Sequence, residues 1–481
     1  IRALPNASLA ATGFCPGMLG GFRVGSSKAP RFQFLSRSAT PSYSSARVKL
    51  GSESPIRDRA MIPRREFLRL GAVASGSAMT GCSALEAVPK GRTPIRLWFS
   101  YGGTNREVLE SLVQRFNESQ AQDFVQAVYQ GDYFEGLAKL RTAIAARCAP
   151  ALSHVVGEVV PYLAEAGVLE SLADYPGVRE LDVIPELGQE RTWTTGSARP
   201  LCALPFNRST PIAYLNGELF ARAGLEAPRT WAELRTVARA LSEPKSEGRF
   251  GFGCPINWWF WVALVNQAGG AIVAENGRIA LGDGAGVEAL CLWQELVRDG
   301  SMKPPPGRDY NAWEQCNQDF LSGRAAMIWS STAFLKYLEA QARFKVLAAP
   351  LPAGVKRAVP TGGTFWVVLR SAPSAEKAAA VRFLRFMHEP EQVLAWSTRT
   401  GYIPVTRAAV RTLEQRGYYR AHPNDRVALA QLAVAEPWPW SVDLFRIQRE
   451  IVQPRLESAV IEQRDASAIL SEAKALALEP T

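Results

Sequence analysis

Beyond Pro94 the apolar positions switch repeatedly between short runs and a spacing of three to four. Pro94–Ser100 is a run of the first kind, closed by Tyr101-Gly102-Gly103, and it predicts a strand. Val108, Leu109, Leu112, Val113 and Phe116 then recur at helical spacing and predict a helix over 106–119. Phe124–Tyr129 predicts a second strand, and Leu137, Leu140 and Ile144 mark one face of a helix over 133–147. His154–Gly157 predicts a third strand and Val159–Gly167 a third helix. This alternation predicts a parallel α/β layer. Thr210–Asn216 reads as a further strand, and Thr230 caps a helix that opens at Trp231. The stretch 255–306 is mostly helical, Ala325–Trp329 and Phe344–Ala349 are strand-like, and helices dominate from Ala375. Gly- and Pro-rich joints interrupt the pattern at Leu204-Pro205-Phe206, Pro350–Gly354 and Pro360–Gly363. No 20–50-residue repeat is present, which argues against a solenoid.

Upstream of this region the pattern fails. Residues 1–60 are rich in Ser, Gly, Pro and Arg, with little apolar periodicity, and they read as a non-native or disordered upstream extension. At Met61 the character changes. Arg64 and Arg65, followed by Phe67 and Leu68, form a twin-arginine pattern. A weakly apolar run, Leu70–Gly81, ends at Cys82 and is too short to span a bilayer. Residues 61–82 therefore predict a Tat-type lipoprotein signal, lipid-modified at Cys82. An amphipathic helix with a chance cysteine is the plain alternative. The charge supports a leader. The formal net charge is +10, yet residues 94–481 hold 41 basic and 41 acidic residues. A neutral folded part carries no nucleic-acid footprint. The seven Cys and three His show no zinc-type spacing, so no metal or cofactor is expected. The five Cys beyond the leader (148, 202, 254, 291, 316) read mostly as buried fillers.

Catalytic signatures are missing. There is no GxSxG, P-loop or HExxH, and no local pair of carboxylates marks a glycosidase. Glu158, just after the third strand, is the acid placed where a cleft would use it; a solvated helix-start acid is its ordinary reading. Thirteen Trp and twelve Tyr, many beside turn residues, suit stacking on a sugar or polyol, although core packing claims most large aromatics.

At Leu204-Pro-Phe-Asn-Arg-Ser-Thr-Pro-Ile-Ala-Tyr-Leu-Asn216 the sequence resembles the family 1 extracellular solute-binding proteins of ABC importers. Further segments agree in order: Gly131–Glu135, Ala149–Ala151, Phe220–Leu225, Thr230–Leu234, Phe320–Met327 with Ser330-Ser331, Pro360–Gly363, Phe383–Phe386, Trp396–Val405, and Gly417–Tyr419 with Asn424. Pro205–Pro211 combined with Thr400–Val405 resembles the glycerol-3-phosphate/glycerophosphodiester-binding branch.

The resemblance implies a two-lobed α/β fold of the periplasmic-binding, type II, maltose-binding-protein-like kind, with crossing hinge strands. Lobe 1 would comprise 94–204 plus 362–402, and lobe 2 206–358 plus 406–481. Carried over by motif, Tyr133 would meet the glycerol end. Ser209, Ser331, the Gly363 N–H and Tyr402 would donate to phosphate, and Arg449 would supply the charged fork. The acid that this branch sets against the glycerol hydroxyls falls at Gly157, or at Glu158 after a one-residue slip. The stacking indole falls at Trp259 in one register and at Trp261, partnered by Trp258, in another; both registers stand. The implied function is capture of a small solute outside the cytoplasmic membrane and delivery to an ABC permease. Binding and closure would do this without covalent chemistry, and only a lipid anchor would touch the membrane. A neutral-sugar binder of the same fold is the alternative, and a secreted carbohydrate-active enzyme the more distant one.

Overall fold

The computed structural model describes residues 87–188, 201–243, 248–275, 277–304, 309–436, 438–439 and 441–479. The twin-arginine pattern and Cys82 lie outside the described residues. No helix among the described residues is long and apolar enough to cross a membrane.

Ten strands run in chain order among the described residues: β1 Thr93–Phe99, β2 Asp123–Tyr129, β3 Leu152–Val156, β4 Leu204–Ser209, β5 Pro211–Asn216, β6 Met327–Ser331, β7 Val346–Ala349, β8 Val359–Pro360, β9 Gly362–Val368 and β10 Ala435–Glu436. They build two separate main sheets. The first lobe holds a five-stranded sheet in the order β2-β1-β3-β9-β4. Its first three strands are parallel, as the strand–helix alternation predicts. The other two are an addition that the sequence reading treats as joints. Strand β9 runs antiparallel to both β3 and β4, so the layer is mixed rather than purely parallel. The second lobe holds the antiparallel order β6-β5-β7.

Side chains along β9 show why it belongs in the middle. Trp366 and Val368 enter one core with Leu97, Leu112, Phe116 and Phe383, while Phe365 and Val367 enter the opposite core with Leu137, Val155 and Leu163. Alternation across two covered faces makes a continuous apolar run, which periodicity alone does not separate from a buried helix or a loop. The helix Gly103–Ser119 buries Val108, Leu109, Leu112, Val113 and Phe116 against the first of these cores. At about 1.5–3 kcal/mol each, those five side chains contribute roughly 8–15 kcal/mol before chain entropy is charged. The far edge is tied by Asp123, whose carboxylate takes two bonds from Arg382, at 2.7 and 2.8 Å.

In the second lobe the three-stranded sheet is likewise covered on both faces. Ala213, Leu215, Met327 and Trp329 face one core, and Ile212, Tyr214 and Ile328 the other. The helix Trp231–Ala240 starts at Thr230, whose hydroxyl accepts from Glu233 N–H at 3.1 Å, as its sequence predicts. Cys202, Cys254 and Cys316 are buried fillers; Cys148 is exposed and Cys291 partly so.

Among the described residues, three segments link the two main sheets. Strand β4 ends at Ser209 in the first sheet and β5 begins at Pro211 in the second. Strand β8 pairs with β10, and after Thr361 the chain enters β9. The third passage follows the helix Pro390–Thr400, where Ile403 N–H donates to Arg208 O at 2.9 Å. A C-terminal segment, Leu444–Val452, also touches both lobes. Leu444, Ile447, Ile451 and Val452 enter the core of the second lobe, whereas Phe445 packs on a core of the first. Ile447–Val452 is a π-helical turn, a widening often found near functional sites.

Candidate functional site

Between the lobes lies a cavity of about 450 Å³. Its first-lobe wall sits where β1, β2 and β3 end, at Ser100–Gly102, at Gly131–Phe134, and at Val156 and Glu158. Its second-lobe wall is Asn257, Trp259, Trp313, Ser331, Ala333 and Phe334, with Phe445 and Gln448 from the C-terminal segment. In open α/β sheets the crevice outside the strand ends is where ligands bind, because loops and helix starts gather there.

Helix starts do gather here. The helix Tyr133–Ala145 begins at Asp132, whose Oδ1 accepts from Phe134 N–H at 2.7 Å and Glu135 N–H at 2.9 Å. The helix Trp258–Gln267 begins at Asn257, whose Oδ1 accepts from Trp259 N–H at 3.0 Å. Ser331 Oγ accepts from Ala333 N–H at 3.2 Å, and the helix Gly103–Ser119 starts at the same cleft without a side-chain cap. Helix N-termini carry partial positive charge and favour polar, electron-rich ligand groups.

Of the residues carried over by motif, Tyr133, Glu158, Ser209, Trp259, Ser331, Gly363 and Tyr402 all line this cavity. Two do not. Trp261 is fully buried in the second-lobe core, its indole N–H donating to Gly286 O at 3.2 Å. The register with Trp261 is therefore corrected: a helix turns about 100° per residue, so Trp259 and Trp261 face different ways. Arg449 stands at the edge of the cavity, its guanidinium 3.5 Å from the centre of the Phe134 ring. Glu158 rather than Gly157 reaches the lining.

Asn207 organises the floor and is missing from the expected set. It is fully buried on β4. Its Nδ2 donates to Tyr133 OH at 3.0 Å and lies 3.3 Å from Tyr402 OH. Its Oδ1 accepts from Thr364 N–H at 2.8 Å and from the Thr364 hydroxyl. The signal was its place inside Pro205–Pro211, beside Ser209. Close packing also fixes the two glycines. Gly363 has φ +89°, and a β-carbon there would lie 1.8 Å from Asn207 O. At Gly362 one would lie 2.6 Å from the Trp259 ring.

An aromatic ladder supports the floor. Tyr402 stacks on Trp396 at 5.4 Å and Trp396 on Phe206 at 4.6 Å, and Phe206 meets Trp366 in a tilted contact at 4.3 Å. His154 lies beside it and accepts from Ser100 N–H at Nε2, 2.7 Å, which places its proton on Nδ1. Burial pushes the pKa of His154 down to about 3, so the ring is neutral. Burial raises Tyr402 well above the usual phenol range, so its hydroxyl stays a donor. Glu158 is raised by burial, opposed by its own N–H and by Arg208. The second-lobe wall is a tilted aromatic surface, with Trp259, Trp313 and Phe334 at centroid spacings of 5.8 and 6.1 Å. No Lys, Arg or His is among the described lining residues; Asp132 and Glu158 are the acids. No cluster among the described residues has the composition of a metal site.

Known proteins match over most of the chain. The profile of the bacterial extracellular solute-binding protein family matches residues 111–416. The sn-glycerol-3-phosphate-binding periplasmic protein UgpB of Salmonella typhimurium is 27% identical over 395 residues, covering 76% of this chain and 87% of that protein. The crystal structure of UgpB from Mycobacterium tuberculosis with glycerophosphocholine superposes with a TM-score of 0.71 at 25% identity, covering 80% of this chain and 98% of the other. The maltose/maltodextrin-binding domain of Bdellovibrio bacteriovorus superposes with a TM-score of 0.69 at 15% identity, over 80% and 98% of the two chains. The fold is the two-lobed, maltose-binding-type arrangement with crossing strands.

Proposed function

The chain belongs to the bacterial extracellular solute-binding proteins, and from that membership we propose that it captures a glycerol-phosphate-type solute outside the cytoplasmic membrane for an ABC importer. The observation that carries this reading is the convergence of Tyr133, Glu158, Ser209, Trp259, Ser331, Gly363 and Tyr402 on one cavity between two lobes. In it, Glu158 and Tyr133 meet the glycerol hydroxyls. Ser209, Ser331, Tyr402 and the Gly363 N–H supply donors to phosphate, and Arg449 supplies the cation from the edge. The cavity exceeds what glycerol 3-phosphate fills, which favours a phosphodiester such as glycerophosphocholine, the ligand of the mycobacterial relative. Lobes 94–204 plus 362–402 and 206–358 plus 406–481 close on it about the crossing segments.

The ligand is returned intact. Asp132 spends its carboxylate on the helix start, which leaves Glu158 without a second acid to work with. Export by the Tat route through Arg64 and Arg65, and anchoring at Cys82, complete the reading. Arg64→Lys with Arg65→Lys should hold the precursor in the cytoplasm, and Cys82→Ala should release the exported protein from membranes. Efficient export of the first variant, or unchanged membrane association of the second, contradicts each part in turn.

A neutral-sugar ligand is the second reading. It is favoured by the Trp259–Trp313–Phe334 wall and by the lack of a cation among the described lining residues. Calorimetric titration with glycerol 3-phosphate, glycerophosphocholine and maltotriose decides. Binding of a phosphate-bearing ligand supports the first reading, and binding of maltotriose alone replaces it.

A further inference from the structure

Arg208 is wholly buried, and its surroundings satisfy only part of it. Nη2 donates to Thr361 Oγ1 at 2.8 Å, and the guanidinium stacks over the Phe365 ring at 4.2 Å. Nε and Nη1 have no hydrogen-bond partner among the described residues. Such a group is costly to bury, so its position calls for a reason.

Its place in the fold supplies one, because all three crossing segments meet at this residue. Arg208 lies on β4, the first of them. Its side chain holds Thr361, in the second. Its backbone carbonyl accepts from Ile403 N–H in the third, at 2.9 Å. Thr361 is also gripped from the second lobe, where the indole N–H groups of Trp259 and Trp438 donate to its carbonyl at 3.2 and 2.6 Å. Glu158 approaches from the cavity side. Strands β3 and β4 flank β9, with Val156 opposite Thr364 and Arg208 opposite Gly363, and Glu158 follows directly after β3. The guanidinium lies over Phe365, the next residue of β9, on the strand that separates β4 from the β3 end carrying the acid. The opposed charges of Arg208 and Glu158 act on each other's ionisation in keeping with this placement.

We propose that Arg208 is a positioning residue that couples the cavity to the hinge: it pins Thr361 and Ile403 to β4 and holds its unpaired N–H groups toward Glu158. A ligand hydroxyl that hydrogen-bonds to Glu158 competes with Arg208 for the same carboxylate, and the Thr361 bond carries the resulting shift of the guanidinium to the crossing segment. This rests on the placement of Glu158 in the ligand site, whereas the hinge contacts stand independently of what the ligand is.

Arg208→Met tests it in the full chain. It keeps the length and the stacking on Phe365 but removes the charge and the Thr361 bond. Without ligand, the amides of 361–364 and 403 should exchange with deuterium about tenfold faster than in the wild type, as expected when a structural hydrogen bond is lost. Glycerophosphocholine should bind about tenfold more weakly. Arg208→Met in a Glu158→Gln background should bind no more weakly than Glu158→Gln alone, because the coupling has already been removed. Unchanged exchange at the hinge, or losses of affinity that simply add in the double variant, overturns the proposal. If the wild type binds no glycerophosphocholine, the functional reading fails, and the exchange experiment still decides the role of Arg208. If the Met variant does not fold, Arg208→Lys, which keeps the charge without the fork, goes through the same measurement and is expected to lose hinge protection too.

Discussion

Asn207→Ala removes the residue on which the cavity floor is built. The side chain is fully buried and serves four partners: the hydroxyls of Tyr133 and Tyr402, and the N–H and hydroxyl of Thr364. The two tyrosine hydroxyls lie 3.5 Å apart and remain partners for each other, so their loss of the amide costs little stability. The Thr364 N–H is different, since Thr364 is fully buried between strands. Leaving it unpartnered costs about 1–3 kcal/mol, and the small void adds to that. We expect a total near 2–4 kcal/mol. Unfolding entropy of about 2 cal/mol/K per residue, over a chain of this size, converts that to a fall of roughly 2–4 °C in melting temperature. Ligand affinity should fall with it, by about tenfold, because Tyr133 and Tyr402 lose the amide that orients them. Differential scanning calorimetry with and without glycerophosphocholine reads both quantities. A melting temperature within about 1 °C of the wild type, with the same ligand-induced shift, would refute the assignment of Asn207 as the organiser of the floor.

Arg449→Ala should weaken glycerophosphocholine binding at least about 30-fold, as expected for loss of a paired charge on an anion. An unchanged dissociation constant favours the sugar reading. Gly363→Ala should destabilise by about 1–3 kcal/mol or more and impair binding, because φ is +89° and the new methyl meets Asn207 O. A denaturation curve coincident with the wild type contradicts that. His154 is held neutral with a pKa near 3 against an ordinary value of 6.5, so between those values the unfolded chain binds the extra proton. Its contribution to stability is full above pH 6.5 and is lost, at about 1.4 kcal/mol per pH unit, as pH falls toward 3. His154→Gln, whose amide oxygen can accept from Ser100 N–H, should flatten melting temperature against pH over that window; an equally steep profile in the variant rules out His154 as a source of the slope.

The sequence was most informative where one face of an element meets solvent. The helix beginning at Gly103 and the strands before and after it show their period because the outward positions are polar. Strands β4 and β9 carry no such contrast, being buried on both sides, and their Gly and Pro residues look like punctuation. The site divides along similar lines. Ser209, Ser331, Gly363 and Tyr402 were legible because they stand inside ordered motifs. The choice between Trp259 and Trp261 was not, since a helix that buries Trp258 to Val265 almost throughout offers no polar face to set the phase. Asn207 and Arg208 were visible as letters of the same motif. Their roles depend on partners far off in sequence, Tyr133, Thr361 and Thr364, which only folding brings near.

Strand β9 also sets a schedule for the nascent chain. Its partners are Leu152–Val156 on one side and Leu204–Ser209 on the other, whereas β9 itself ends at Val368. Three parallel strands are therefore synthesised long before the strand that covers their inner edge, and β4 has no sheet to join until the same moment. The C-terminal segment with Phe445 arrives later still. Such distant pairings pay their loop-closure entropy late, which slows folding and leaves an unpaired sheet edge open to association with other chains. Refolding from denaturant should accordingly be slow and sensitive to protein concentration, and chains truncated before Gly362 should form aggregates rather than a soluble first lobe.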